Sequence, residues 1–120
     1  MARHYDLGIK GEEIAAKYLA SLGYKIIEKN WRHKKDEIDI IALDGRFLVI
    51  VEVKTRSTDV FGDPEEAVTV TKQKFLIRAA EEYIFMKDLL LETRYDIISI
   101  VKKGKRETIR HIKEAFYPTL

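Results

Sequence analysis

The segment spanning residues 37–56 constrains the fold most, because it contains two strand-like runs joined by Asp44-Gly45. An Asp-Gly pair between alternating apolar residues is the strongest short-range signal of a β-hairpin. The cross-strand pairs predicted for a two-residue turn at Asp44-Gly45 are Leu43 with Arg46, Ile41 with Leu48, Asp39 with Ile50 and Glu37 with Glu52. This hairpin is the predicted centre of the fold.

Side chains alternate between the two faces of a strand, and cross-strand partners share a face. One face of the predicted hairpin carries Glu37, Asp39, Ile41, Leu48, Ile50, Glu52 and Lys54. The other face is apolar and carries Ile38, Ile40, Ala42, Phe47, Val49, Val51 and Val53. Three carboxylates therefore gather at the open end of one half-buried face, where Glu37 and Glu52 are expected to repel each other.

Carboxylates crowded on an apolar surface need either a cation or raised pKa values. Mg²⁺ binds one or two carboxylates together with phosphate oxygens and waters, and Lys54 lies on the same face as Asp39 and Glu52. The pattern predicts a metal site that handles phosphate. The alternative is an exposed hairpin end with an ordinary mix of Glu and Lys. A one-residue slip in register would place Asp39 and Glu52 on opposite faces.

Length and composition predict a single domain, since 120 residues are enough to bury one core. The absence of cysteine excludes disulfides and a cysteine-built zinc site. The N-terminus lacks the apolar core of a signal peptide and no run reaches membrane-spanning length, so we expect a cytoplasmic protein. A net charge of +2 is too small to establish a nucleic-acid partner.

Two helices are predicted on either side of the hairpin in the sequence. Apolar residues at helical spacing predict the first helix over residues 5–22, with Gly23 following its end. Glu12 lies at the edge of the apolar stripe, where it either reaches the hairpin site or only complements the helix dipole. The second helix is predicted from an N-cap at Thr71 to about Asp88.

Basic and polar residues near the hairpin are candidates for phosphate contact. They are Lys34 and Lys35 in the basic tetrad 32–35, Thr55 and Arg56 after the hairpin, and Lys72 and Lys74 in the first turn of the second helix. Cations oppose the dipole at a helix start, and an anion bound there would account for the two lysines. Solvated basic surface is the alternative interpretation for the tetrad and for the helix start.

The remaining segments complete the predicted architecture. Residues 24–31, 94–101 and 106–113 read as strands, and a short helical turn is predicted at residues 64–67. The order α-β-β-β-α-β-β predicts an α/β fold with a mixed five-stranded sheet flanked by helices. Arg94 and Asp96 share a face and are expected to pair. The apolar residues 115–118 are expected to dock on an apolar surface, with a second subunit as one candidate.

The acidic residue, the spacer and the Glu-x-Lys pattern together resemble the signature of the restriction-endonuclease-like, PD-(D/E)xK, nuclease superfamily. Nearly the whole chain is similar to the YraN-like family of small bacterial proteins, which are related to archaeal Holliday junction resolvases. The matching stretches are G-I-K-G-E at 8–12, E-I-D-I-I-A at 37–42, V-E-V-K-T-R at 51–56, F-G-D-P at 61–64 and R-Y-D-I-I at 94–98. The resemblance implies a restriction-endonuclease-like core.

The resemblance also implies a metal-dependent DNA endonuclease that works in repair or recombination. In the superfamily the first aspartate and the acidic residue of the next strand bind Mg²⁺, or Mn²⁺ in its place, and here these residues are Asp39 and Glu52. The superfamily lysine, a general base or a transition-state stabiliser, corresponds to Lys54. Resolvases add a glutamate spaced like Glu12. Ile38 stands where the superfamily usually has proline, at a position that supplies no metal ligand.

The implied substrate is branched or duplex DNA read through its backbone, with RNA as an alternative. A resolvase cuts two strands symmetrically and needs a two-fold dimer, so a homodimer is one implied assembly. No membrane partner is expected. The alternative function is a catalytically silent nucleic-acid-binding or adaptor module on the same fold.

Overall fold

The computed structural model describes residues 3–57 and 68–118, with side chains from residue 7 onward. Its elements are α1 (Arg3–Ser21), β1 (Lys25–His33), β2 (Asp36–Asp44), β3 (Phe47–Arg56), α2 (Val70–Lys87), β4 (Glu92–Lys103) and β5 (Arg106–Phe116). The predicted order α-β-β-β-α-β-β is confirmed. The helical turn predicted at residues 64–67 lies outside the described residues, and the restriction-endonuclease-like core stays a prediction.

The five strands form one mixed sheet in the order β1-β2-β3-β4-β5. Strands β3 and β4 are parallel, and the other neighbouring pairs are antiparallel. Parallel neighbours need a long crossover connection, and α2 lies in that connection as predicted. The end of β3, the start of β2 and the start of α2 consequently meet at one end of the sheet.

The β2–β3 hairpin forms in a register different from the predicted one. The observed pairs include Asp44 with Phe47, Leu43 with Leu48, Ile41 with Ile50 and Ile40 with Val51. The turn residues are Gly45 and Arg46, and the φ of 59° falls on Gly45. Asp44 stays in the strand because its carboxylate accepts a hydrogen bond from Arg94 Nη1 at 2.8 Å. The predicted turn at Asp44-Gly45 is therefore wrong, and so are all four cross-strand pairs predicted from it, including Glu37 with Glu52.

The partner of each residue is two positions away from the predicted one, and an offset of two keeps the predicted face assignment along most of the hairpin. The exception is Ile38, which packs on the same side as Ile41 and not with Ile40. Regular pairing stops at Ile40, and the next residue, Asp39, accepts a hydrogen bond from the backbone N–H of Val53 at 2.8 Å. The Asp39 carboxylate thus replaces a backbone acceptor of the β2–β3 ladder, and the side chains of β2 no longer alternate regularly between the two faces at this point.

Each face of the sheet packs against one helix. The α2 side buries Ile38, Ile41, Leu48, Ile50, Val68, Leu76, Ala79, Ala80, Tyr83, Tyr95, Ile97 and Phe116. The α1 side buries Ala15, Ala16, Leu19, Tyr24, Ile40, Ala42, Val49, Val51, Ile98 and Ile100. Burial on both faces explains why β3 and β4 are nearly continuous apolar runs.

The helix ends follow local capping chemistry. Gly23 has φ of 93° after α1, and Tyr24 N–H returns to the Leu19 carbonyl at 3.0 Å, which closes the helix as predicted. The predicted N-cap of α2 at Thr71 is wrong, because the Thr69 hydroxyl accepts from Lys72 N–H at 3.2 Å and starts the helix earlier.

The chain end docks on its own sheet. Phe116 is buried and its ring stacks on Tyr95 with 5.2 Å between centroids, whereas Tyr117 is exposed. Part of the predicted apolar docking is therefore met within the chain. Among the described residues, no helix is long and apolar enough to cross a membrane.

Candidate active site

The site is organised by two carboxylates on neighbouring strands. Asp39 lies where β2 leaves the ladder, and Glu52 lies on β3 with 4% of its surface exposed. Burial, followed by the negative charge of Glu52, raises the pKa of Asp39 to about 8, although the hydrogen bond from Val53 N–H acts in the opposite direction. We call Asp39 and Glu52 the acidic pair. Without a cation, the pair favours holding a proton near neutral pH.

Two lysines approach Glu52 from different elements. Its Oε2 lies 3.4 Å from Lys54 Nζ on β3 and 3.6 Å from Lys72 Nζ in the first turn of α2. Its other oxygen, Oε1, is the one buried side-chain polar atom in the described part of the chain that has no hydrogen-bond partner. A buried oxygen without a donor is costly, and it leaves a coordination position for a cation.

Helix α1 brings Glu12 to the acidic pair through a close approach at Gly11. A β-carbon added at Gly11 would meet the Thr55 side chain, with Thr55 Cβ at 2.8 Å and Cγ2 at 3.0 Å. Glu12 is half-buried, and burial together with the charges of Glu37 and Glu52 raises its pKa. Glu12 is therefore at the site, as one of the two interpretations of its sequence position predicts.

Asn30 is a site residue that the sequence reasoning missed. It lies on β1 between Lys29, which pairs with Ile40, and Trp31, which pairs with Ile38, so it falls opposite Asp39. Its φ is 51°, a conformation that asparagine tolerates better than most residues. Its side chain hydrogen-bonds Glu12, which opposes the rise in the pKa of that carboxylate. The signal was the single asparagine of the chain within a strand, where this residue type is depleted.

The predicted phosphate-contact residues divide between three places. Lys72 contacts Glu52, whereas Lys74 is exposed two positions further along α2 and projects from another side of the helix. Thr55 packs against Gly11, and Arg56 is the half-buried last residue of β3.

Lys34 and Lys35 lie in the turn between β1 and β2, at the same end of the sheet as the acidic pair. Lys34 has φ of 57° at this turn. Both lysines line a cavity of about 320 Å³ together with His33, Asp36, Arg78 and Glu82. The two lysines therefore line this cavity at the same end of the sheet as the acidic pair.

Within residues 3–57 and 68–118, no group of three or more His, Asp or Glu side chains is arranged to hold a metal ion. A divalent ion at this end of the sheet would therefore rest on the acidic pair. Two carboxylates with open positions suit Mg²⁺, which keeps waters and takes phosphate oxygens as further ligands.

The fold and site define a small α/β protein with one mixed sheet and an acidic pair, half-buried at Asp39 and buried at Glu52, that is flanked by lysines. A family model described as "Uncharacterised protein family UPF0102" matches residues 11–100. The chain is 48% identical over 117 residues to a UPF0102 protein of Flavobacterium psychrophilum, covering 98% of each chain. It is 47% identical over 120 residues to one of Bacteroides thetaiotaomicron, covering 100% of this chain and 99% of the relative.

A UPF0102 protein of Thermodesulfovibrio yellowstonii is 49% identical over 117 residues, covering 98% of this chain and 100% of the relative. The chain therefore belongs to the UPF0102 family, which is the YraN family. The family membership implied by the sequence motifs is confirmed.

Proposed function

We propose that this protein is a metal-dependent phosphodiesterase that cuts DNA, with structure-selective activity in repair or recombination. The observation that carries the proposal is the acidic pair, with its partnerless buried oxygen on Glu52 and two lysine ammonium groups within 3.6 Å. Hydrolysis of a phosphodiester needs a means of neutralising developing negative charge. The acidic pair with a cation, together with the two lysines, would supply it.

The residues present fit Mg²⁺ or Mn²⁺. Asp39 and Glu52 are hard oxygen donors, Glu52 Oε1 lacks a donor, and burial and the Glu52 charge raise the pKa of Asp39 to about 8. A hard divalent cation would offset the charge of both carboxylates and supply a partner for that oxygen. When bound, the ion would polarise the scissile phosphate and lower the pKa of an attacking water.

The chain's own residues would then divide the remaining work. Lys54 and Lys72 approach from β3 and α2, so their ammonium groups can hold the phosphate oxygens from two directions. Lys54 is ion-paired with Glu52, and this favours charge stabilisation over general-base catalysis. Glu12, anchored by Asn30, would orient a water molecule at the edge of the pair.

DNA is the proposed substrate because the basic groups near the site are suited to phosphates. Lys34 and Lys35 border the same end of the sheet, and lysines bind the backbone without reading bases. Cleavage is therefore expected to depend on DNA shape more than on sequence, and binding to weaken as salt rises. A cytoplasmic location and a two-fold dimer for symmetric cuts are part of the proposal.

The test is cleavage of a labelled panel of single-stranded, duplex, flapped and four-way-junction DNA, with Mg²⁺, Mn²⁺ or EDTA. An RNA strand in the panel decides between the two nucleic acids. Wild type is compared with Asp39→Ala and Lys54→Ala, each of which is expected to lower the rate about 10²-fold or more. Lys74→Ala is the matched control and is expected to cut like wild type.

Cleavage that needs metal and is lost in both site variants would support the nuclease. Cleavage retained by Asp39→Ala would contradict the site. DNA binding without any metal-dependent cleavage would instead favour the non-catalytic binding or adaptor module. Calorimetric titration with Mn²⁺ adds an independent measure, since the adaptor interpretation predicts no binding to wild type.

A further inference from the structure

A second candidate site lies beside the acidic pair, in the 320 Å³ cavity between the β1–β2 turn and α2. We propose that this cavity binds an unpaired nucleotide of the DNA strand that is cut. The inference rests on the proposed nuclease function and names the class of substrate, which is DNA with single-stranded character next to the scissile bond. We call the cavity the nucleotide pocket.

One flat surface of the nucleotide pocket is the His33 ring. It stacks on the Trp31 ring with 5.9 Å between centroids and 5° between planes. The Tyr83 ring in turn packs edge-on against Trp31, with 5.2 Å between centroids. This backing fixes the orientation of the imidazole, and 25% of the His33 side chain remains exposed. A fixed, partly exposed ring is a surface on which a splayed base can stack.

A second flat surface is the Arg78 guanidinium. Two hydrogen bonds to Asp36, of 2.8 and 2.9 Å, fix its plane, and the Phe75 ring centroid lies 5.1 Å from its central carbon. The Arg78 side chain is nevertheless 60% exposed, whereas Asp36 is buried. A guanidinium held in place and left open to solvent is well suited to stack on a nucleobase.

The rest of the lining suits a nucleotide in its two parts. Lys34 and Lys35 can neutralise the phosphate, and Glu82, with Oε2 3.7 Å from His33 Nε2, can accept from the amino group of a base. A volume of about 320 Å³ is at the small end for ligand pockets, which suits one nucleotide unit.

Lys72 lies near both the acidic pair and the wall of the nucleotide pocket. Its Nζ is 3.6 Å from Glu52 Oε2. The hydrogen bond from Arg78 lowers the pKa of Asp36 in the pocket wall, and the charge of Lys72 adds to this effect. A strand bound with one phosphate at the acidic pair can therefore place a neighbouring base in the pocket. A base within a closed duplex reaches such a pocket only after it unpairs, which costs free energy. Flaps, tails and junctions carry bases that are already unpaired.

The test compares a fluorescent duplex that has a short unpaired tail with a blunt duplex of the same length. Binding is followed by anisotropy in EDTA, so that no strand is cut. Wild type is expected to bind the tailed DNA about tenfold more tightly. His33→Ala and Arg78→Lys should each remove most of this preference while affinity for the blunt duplex stays unchanged. Arg78→Lys keeps the positive charge and loses the planar stacking surface.

Arg106→Lys, an exchange at an exposed position on β5, is the matched control and should keep the full preference. Thermal unfolding checks that His33→Ala folds. If this variant does not fold, the test rests on Arg78→Lys alone. Equal affinity of wild type for the two DNAs, no binding to either, or a preference kept by Arg78→Lys would overturn the pocket. A wild type that cuts DNA with metal but binds tailed and blunt DNA equally overturns the pocket alone, whereas a wild type that prefers tailed DNA but does not cut overturns the nuclease alone.

Discussion

Two clusters of charged residues, one around Glu52 and one around Asp96, lie almost side by side in the sheet and differ in how completely their charges are paired. Glu52 on β3 has Ile97 of β4 as its register partner, and the residue before it on β4 is Asp96. Successive residues point to opposite faces, so Glu52 belongs to the α2 side and Asp96 to the α1 side. Both are buried, with 4% and 0% of their surface exposed.

The α1-side cluster is closed, because every charge in it has a partner. Asp96 accepts from Arg94 Nε and Nη2, both at 2.9 Å, from the Glu114 backbone N–H at 3.1 Å, and lies 2.7 Å from His111 Nε2. Arg94 also donates to Asp44 and to Tyr24 OH. Burial alone would raise the pKa of Asp96, but the hydrogen bonds from His111 and Arg94 lower it. The predicted Arg94–Asp96 pair is confirmed within this network.

The acidic pair is open by comparison. The lysines stand 3.4 and 3.6 Å from one oxygen of Glu52, the other oxygen has no partner, and burial with the Glu52 charge raises the pKa of Asp39. The same small sheet thus gives every oxygen of one buried carboxylate a partner and leaves one oxygen of another without any. Because local packing can satisfy a buried carboxylate in this protein, the partnerless oxygen is specific to the acidic pair and favours a ligand cation.

Among single substitutions, one that breaks the Asp96 cluster should have the largest effect on stability. Asp96→Asn leaves the buried Arg94 without its bidentate partner, and removal of one member of a buried ion pair costs about 3–5 kcal/mol. Urea unfolding measures the change in the free energy of unfolding. Glu107→Gln is the control, since its bond to Lys102 at 3.0 Å is on the surface and should cost about 1 kcal/mol or less. Equal effects of the two variants would contradict the distinction.

The free energy of unfolding should also depend on pH. Asp39 should lower it as pH rises, whereas Asp96 should raise it as pH rises. The folded pKa of Asp39, about 8, exceeds its ordinary value of 3.8, so the folded, metal-free protein binds the extra proton between these values. The contribution of Asp39 to the free energy of unfolding therefore diminishes as pH rises from about 4 to 8, by at most about 1.4 kcal/mol per pH unit. The depressed pKa of Asp96 gives stability that is present above 3.8 and is lost as pH falls through the lower folded value.

Chemical denaturation in EDTA across this pH range measures the slope. Asp39→Asn should flatten it, and saturating Mn²⁺ should reduce it, because the ion takes the place of the proton. If the slope is unchanged in Asp39→Asn, the pH dependence comes from other groups, and the predicted difference in pH response between Asp39 and Asp96 is wrong.

The sequence predicted the two helices, the order of helices and strands along the chain, and the face shared by Asp39 and Glu52, because these depend on periodicity and turn chemistry. It did not predict the hairpin register. Asp44 stays in β2 through its bond to Arg94, which is 50 residues away in the chain. No local pattern contains that contact.

The parts of the site that sequence reasoning missed likewise depend on tertiary contacts. The broken alternation at Ile38 follows from the hydrogen bond of Val53 N–H to Asp39. Asn30 joins the site because the β1–β2 register places it opposite Asp39 and its side chain bonds Glu12. Only the packing of α2 on the sheet shows that Lys72, and not Lys74, lies beside Glu52.

The smallest predicted effect on stability concerns Lys72, which contacts the acidic pair. Lys72 is 39% exposed at its side chain and 3.6 Å from Glu52, so Lys72→Ala should change the free energy of unfolding by about 1 kcal/mol or less. It should weaken DNA binding more clearly and reduce the salt slope by about 1, since one phosphate contact is lost. Lys74→Ala has the same charge change on the same helix and should leave the salt slope unchanged. Equal losses in the two variants would mean that the charge of the helix start acts as a whole. A large loss of stability in Lys72→Ala alone would mean that the acidic pair is closed by this lysine and resembles the Asp96 cluster after all.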